Sequence, residues 1–133
     1  MIQIRANITN LDFQSAILAA GLSVVSGAPV SVAYTDGIPT ASAVGGTASV
    51  AYPCFQGTDS LANNASGHIP VIMRSGFVFD TDQYDASASW TLGADVTAKD
   101  GKWTVAAAGE PVMGRVVGVP TVSNAVVTIF FKG

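Results

Sequence analysis

The sequence predicts an all-β fold, a small β-sandwich or barrel of about 7–9 short antiparallel strands with an N-terminal arm and one short helix. Three observations predict this class. Small or β-branched residues (20 Ala, 17 Val, 14 Gly, 12 Ser and 11 Thr) fill 74 of the 133 positions. Leucine, a common helix-packing side chain, occurs only five times. Alternating apolar and polar segments follow one another with turns about every 8 to 12 residues, as in sandwiches and barrels.

The first 22 residues are predicted to form an arm that is separate from a single β domain over residues 23–133. Ile2 and Ile4 alternate with polar residues, which indicates extended chain. Asn10 is a suitable cap for a short helix from about Leu11 to Ala20. The arm's large apolar side chains are expected to dock on a neighbouring subunit or on a partner, and they are Ile2, Ile4, Ile8, Phe13 and Ile17.

The β domain is predicted from alternation and from turn residues. Its strands are expected at residues 30–34, 47–51, 69–73, 77–79, 94–98, 103–107, 111–119 and 125–132. Ser75-Gly76 is expected to join two of them in a tight hairpin, and Asp100-Gly101 is the strongest hairpin signal in the chain. Residues 56–67 are polar and rich in Gly and Asn, which predicts an exposed loop.

Charge is sparse and unevenly distributed along the chain. Only 11% of the residues are charged, and six Lys plus Arg against nine Asp plus Glu give a net charge of −3. A nucleic-acid partner is therefore not expected, because such proteins carry a basic stripe. Residues 1–73 contain four charged side chains and residues 74–133 contain the other eleven. This asymmetry predicts that the first half is covered by other chains.

Membrane and secretion signals are not recognised in the sequence. The uncharged stretch over residues 13–35 is interrupted by Gly, Ser, Pro and Gln, so no membrane-spanning helix is expected there. The first residues lack a basic region followed by an apolar core, so synthesis in the cytoplasm is expected. A single cysteine excludes a disulfide within the chain.

Few residues in this chain are suited to catalysis, and no enzyme activity is expected. His68 is expected in the polar loop, in a setting that matches no catalytic motif, and Cys54 is flanked by Pro53 and Phe55 as a buried side chain would be. Glu110, the only glutamate, is expected in a turn.

One acidic cluster offers weak candidates for a metal site, namely Asp80, Asp82 and Asp85. Counted from Asp80, the sixth and twelfth positions are Asp85 and Thr91, where an EF-hand loop has Gly and Glu. No metal and no cofactor are therefore expected. Trp90 and Trp103 are expected in the core, with a sugar-binding platform as the alternative.

The order of strands and turns in the second half of the chain carries a family resemblance. Gly76–Tyr84 is followed by Trp90–Trp103, then by Gly109–Gly118 and a last strand over Val126–Phe131. Upstream, Gly27–Val30 matches a first strand. In this order the chain resembles the cement or head-decoration proteins of tailed bacteriophages.

The resemblance implies a virion structural protein that binds the outer surface of an assembled capsid and stabilises its lattice. The implied partners are the major capsid protein and further copies of the chain, with a trimer favoured. The implied location is the capsid surface of a virion made in the host cytoplasm. Two alternatives stay open: a tail or fibre component of a virion, and a carbohydrate-binding β-sandwich module that uses Trp90 or Trp103.

Overall fold

The computed structural model describes residues 1–7, 13–18, 23–55, 68–73 and 76–132. These residues form eleven strands in two sheets and contain no helix, which confirms the predicted all-β class with more strands than expected. The strands are β1 (Ile2–Asn7), β2 (Phe13–Leu18), β3 (Pro29–Thr35), β4 (Ile38–Ala43), β5 (Tyr52–Pro53), β6 (His68–Ile72), β7 (Phe77–Thr81), β8 (Asp95–Lys99), β9 (Lys102–Val105), β10 (Gly114–Gly118) and β11 (Val127–Phe131). None of the described segments is a helix long and apolar enough to cross a membrane.

The six-stranded sheet has the order β1-β7-β11-β10-β8-β9, and every neighbouring pair in it is antiparallel. Alternate residues of β11 are buried, as expected for a strand with one face on a core. That core is aromatic: the rings of Phe79, Trp103 and Phe131 lie within 6.5 Å of one another, centroid to centroid. The outer edge of β9 is also paired, because the Asp85 N–H donates to the Trp103 carbonyl at 2.8 Å.

The five-stranded sheet has the order β5-β3-β4-β2-β6. Only its β2–β4 pair is parallel. The Phe55 N–H donates to the Pro70 carbonyl at 3.0 Å, so the chain after β5 also pairs with β6. The core of this sheet is built from small side chains, with Ala16, Val30, Ala41, Cys54, Ile69 and Val71 all fully buried.

The two sheets meet around Gly27 and Tyr52. The Tyr52 side chain packs against both cores, and its ring centroid lies 6.4 Å from that of Phe131. The Gly27 carbonyl, just before β3, accepts a hydrogen bond of 2.9 Å from the indole N–H of Trp103 in the other sheet. The aromatic core therefore also takes in side chains of the five-stranded sheet, Ile72 and Tyr52, and a buried hydrogen bond links the two sheets.

The structure corrects the predicted organisation of the first 22 residues. Phe13–Leu18, within the predicted helix, is strand β2. Pairing with β4 on one side and β6 on the other provides hydrogen-bond partners for its backbone N–H and C=O groups, and Ala16 is buried there. β1 pairs with β7 along its length, so residues 2–7 are part of the six-stranded sheet and not a separate arm. The chain division expected at residue 22 is absent: β2–β6 form one sheet, and β1 with β7–β11 form the other.

Two predicted hairpins have opposite outcomes. Asp100 and Gly101 both have positive φ, 49° and 78°, which confirms the type I′ turn between β8 and β9. The prediction of a hairpin at Ser75-Gly76 is wrong, because β6 and β7 belong to different sheets and do not pair. The predicted loop over residues 56–67 lies outside the described residues.

Candidate docking surface

The charged residues of the chain are divided between the two sheets. Among residues 13–18, 23–55 and 68–73, which contain the whole five-stranded sheet, Asp36 is the single charged residue. Residues 76–132, which contain most of the six-stranded sheet, carry ten. The charge asymmetry seen along the sequence is therefore an asymmetry between two parts of the folded molecule. The five-stranded sheet has the composition expected of a covered surface, since charged residues are depleted in interface cores.

The β3–β4 hairpin ends in a turn whose side chains are exposed. The two strands pair continuously from Val30↔Ala43 to Thr35↔Ile38. On one side, β5 pairs with β3 only at Pro29 and Val30, far from the turn. On the other side, β2 runs parallel to β4 and pairs with it at Thr40 and Ala41. We call residues 33–39 the hairpin tip.

The hairpin tip exposes apolar side chains. Tyr34 is 61% exposed and Ile38 is 47% exposed, and Ala33 and Thr35 are exposed as well. The turn at its apex, Asp36-Gly37, has φ values of 51° and 76°, which makes it type I′. The sequence predicted the first of the two strands, residues 30–34. It did not reveal the exposure of Tyr34 and Ile38, because that depends on pairing with strands that are distant in sequence.

The four interface candidates that lie in described strands are divided between the two sheets. Ile2 and Ile4 are half-buried and pack against the core of the six-stranded sheet, beside β7. In the other sheet, the backbone of Phe13 pairs with that of Ile72, and the backbone of Ile17 pairs with those of His68 and Thr40. Ile8 lies outside the described residues.

The three metal candidates have separate partners. Asp80 is buried and accepts a 2.6 Å hydrogen bond from the Thr128 hydroxyl. Asp82 is exposed and lies 2.6 Å from the α-amino group of Met1. Asp85 accepts hydrogen bonds from the backbone N–H and the hydroxyl of Ser87, at 2.9 and 2.6 Å. Within the described part of the chain, no three His, Cys, Asp or Glu side chains are grouped so that they could hold a metal ion.

A cleft of about 540 Å³ lies beside the β8–β9 hairpin. Asp85 and Glu110 are among its lining residues. Glu110 accepts from the Ala107 N–H at 2.7 Å through one oxygen and from the Thr47 hydroxyl at 3.0 Å through the other. The hydrogen bonds that Asp85 and Glu110 accept therefore stabilise turns and connections of the chain.

Hydrogen bonds favour the ionised form of Asp85 and of Glu110. Those from Ser87 lower the pKa of Asp85. The Ala107 N–H and then the Thr47 hydroxyl lower the pKa of Glu110. A general acid at neutral pH requires the opposite shift, because it must hold its proton until it reacts.

The remaining candidates for chemistry lie apart from the cleft. Cys54 is fully buried in the small core of the five-stranded sheet, which confirms its predicted place. His68 begins β6 and does not lie in a loop. Trp103 is fully buried, as predicted, so it offers no ring to a sugar. Trp90 is half-buried against the aromatic core that contains Trp103. Its indole N–H donates to the Asp85 carbonyl at 2.8 Å.

Comparison of the chain with protein-family models, with curated proteins and with solved structures finds no match.

Proposed function

We propose that this protein decorates the outer surface of a tailed-phage capsid and stabilises the lattice. The observation that carries the proposal is the division of charge between the two sheets. A nearly uncharged five-stranded sheet is suited to lie against a shell, and the charged six-stranded sheet is suited to face water. The resemblance in strand order over residues 75–133 supports the same function.

The physical basis of such binding is apolar burial repeated over many copies. Removing apolar surface from water contributes roughly 25 cal/mol per Å². A single copy binds through modest contacts, whereas a trimer that engages several sites at once gains avidity without any new contact. The major capsid protein is the proposed partner, and no catalytic step is required.

The test uses capsid shells assembled from the major capsid protein of the same genome, without this protein. Labelled protein is mixed with the shells and separated on a density gradient. We expect the protein to sediment with the shells and to saturate at a fixed ratio to capsid subunits. Sedimentation of the shells without bound protein would contradict the proposal.

The same labelled protein distinguishes the two alternatives. Binding to isolated tails and not to shells would favour a tail or fibre component. Binding to a glycan array, abolished by Trp90→Ala, would favour a carbohydrate-binding module. The array is decisive for Trp90 only, because Trp103 is fully buried.

A further inference from the structure

The cleft beside the β8–β9 hairpin holds a large share of the charge of this chain. Half of the ten charged residues in 76–132 line it, namely Asp85, Lys99, Asp100, Lys102 and Glu110. Its volume of about 540 Å³ is within the range of small-ligand sites. Because only 11% of all residues are charged, this concentration favours a polar ligand.

The carboxylates of the cleft are fixed in place and keep capacity to accept further hydrogen bonds. The Gly46 N–H donates to one oxygen of Asp100 at 2.7 Å, and Asp85 and Glu110 are held by the hydrogen bonds given above. Each oxygen of Glu110 accepts one hydrogen bond from the described residues, whereas a carboxylate oxygen can accept two. The cleft therefore offers preformed acceptors to the hydroxyl groups of a ligand.

Lys99 adds a donor between these acceptors. The hydrogen bonds from Ser87 are the largest cause that lowers the pKa of Asp85, and the charge of Lys99 lowers it further. For Glu110 the largest cause is the Ala107 N–H, and Lys99 again adds to the lowering of the pKa. The Lys99 ammonium thus acts on both carboxylates, and it has no hydrogen-bond partner among the described residues.

The mixture of charges favours a neutral ligand. Three carboxylates repel an anion, and two ammonium groups repel a metal cation. A neutral polyhydroxy molecule suits both signs of charge, because each hydroxyl group both donates and accepts.

Tyr84 supplies an aromatic surface in the cleft. Its side chain is half-buried, and its ring is held perpendicular to the Trp90 ring with the centroids 5.7 Å apart. A ring fixed in this way offers an apolar face with a polar tip. Such a surface suits a sugar ring, in which C–H groups alternate with hydroxyl groups.

The edge of β9 beside the cleft is closed to an extended peptide. A peptide that binds as an added strand pairs with free backbone groups of an edge strand. The Trp103 N–H already donates to the Gln83 carbonyl at 3.1 Å, and the Trp103 carbonyl accepts from Asp85. A ligand of the cleft is therefore held mainly by side chains.

A buried hydroxyl group lies next to the floor of the cleft. Thr97 is paired with Thr104, so the two side chains share a face and lie about 5 Å apart. Thr104 lines the cleft, whereas Thr97 is fully buried and its Oγ1 has no hydrogen-bond partner in the described part of the chain. A buried hydroxyl without a partner is uncommon. A sugar seated against Thr104 would bring hydroxyl groups beside it.

We infer that the cleft binds a neutral oligosaccharide, with hydroxyl groups on Asp85, Glu110 and Lys99 and one sugar ring on Tyr84. Such binding goes beyond the proposed function and does not depend on it. It also differs from the carbohydrate-binding alternative above, in which the sugar lies on Trp90 or Trp103.

The experiment applies the full chain to a glycan array that carries neutral oligosaccharides of glucose, galactose, mannose and N-acetylhexosamines, together with sialylated and sulfated ones. Titration calorimetry with the most strongly bound neutral oligosaccharide then compares variants. Lys99→Met removes the ammonium, and Ala86→Trp fills the cleft. Lys132→Met and Ala125→Trp are the matched controls outside the cleft. All four positions are exposed, so thermal unfolding should be unchanged.

We expect Lys99→Met and Ala86→Trp to bind the oligosaccharide at least about tenfold more weakly, because a hydrogen bond to a charged group and the space for the sugar are lost. The two controls should bind normally. Equal binding by all four variants would overturn the sugar site, as would an array on which no neutral oligosaccharide is bound.

Three further outcomes would also contradict the inference. Binding that is restricted to sialylated or sulfated glycans would mean that the ligand is an anion. Loss of binding in Trp90→Ala, with normal binding by Lys99→Met and Ala86→Trp, would place the sugar on Trp90. Binding to a peptide library that is abolished by Ala86→Trp, without binding to glycans, would mean that the cleft takes a peptide.

Discussion

Gly27 is the residue at which the two sheets are joined. Its N–H donates to the Cys54 carbonyl at 2.8 Å, and its carbonyl accepts from Trp103 and from the Thr81 hydroxyl at 2.9 and 3.0 Å. Its φ of 90° lies in the region that favours glycine. A Cβ at this position would lie 2.6 Å from the Thr81 hydroxyl oxygen and closer still to the Met1 carbonyl oxygen.

Gly27→Ala is therefore expected to lower the free energy of unfolding by roughly 3 kcal/mol, the sum of backbone strain and a clash. Gly101→Ala is the control, because Gly101 also has positive φ but has open space around its missing side chain. It should cost only about 1 kcal/mol. Urea denaturation measures both values, and equal losses would show that the Gly27 junction is not tightly packed.

Glu110 is expected to make stability depend on pH. Its pKa is lowered in the folded protein, so the carboxylate contributes stability above its ordinary pKa of about 4.5, and this contribution is lost as the pH falls through the lower folded value. The stability difference between the unsubstituted protein and Glu110→Gln should therefore be largest near neutral pH and should shrink in acid. Denaturation at several pH values measures this difference.

Thr47→Ala provides an independent check of the same carboxylate. Loss of the Thr47 hydroxyl should raise the pKa of Glu110 towards its ordinary value, as followed by NMR titration of the side-chain carboxyl carbon. An unchanged titration would mean that this hydrogen bond does not form in solution.

At the scale of single elements, β2 is where sequence and structure differ most. The pattern of Phe13, Ile17 and Ala20 predicts a helix face, yet Phe13–Leu18 is a strand between β4 and β6. Pairing with partners that are distant in sequence outweighs a weak local helix preference. The β8–β9 hairpin was predictable, because Asp100-Gly101 sets its turn locally.

Ala16→Asp tests whether β2 is part of the core or part of a detached arm. Ala16 is fully buried, so a carboxylate there should lower the free energy of unfolding by more than about 3 kcal/mol. Ala33→Asp makes the same change at an exposed position of β3 and is the control, which should change stability little. If both variants were as stable as the unsubstituted protein, residues 13–18 would not be packed in the sheet.

The candidate surface was only partly predictable from sequence. The scarcity of charge before residue 74 can be read directly from the composition, and the structure places β2–β6 of this half in one sheet. That other chains cover this sheet stays a prediction. The packing of Ile2 and Ile4 against the core was not evident from sequence, because it depends on the pairing of β1 with β7. Tyr34 and Ile38 were not singled out, because the exposure of these side chains depends on how β3 and β4 pair with strands that are distant in sequence.

At the scale of the whole molecule, the two sheets differ in both charge and core. The six-stranded sheet packs against a large aromatic core and carries most of the charged side chains, as expected for the part of a protein that faces water. The five-stranded sheet has a core of small side chains and a nearly uncharged exterior. Contact with a shell would cover the apolar side chains that this sheet exposes and would thereby stabilise its smaller core.

The most direct test of this account is a cryo-electron microscopy map of capsid shells saturated with the protein. The account predicts density on the outer surface, with the five-stranded sheet against the shell and the six-stranded sheet facing solvent. A map in which the charged six-stranded sheet contacts the shell, or in which the shell carries no added density, would contradict it.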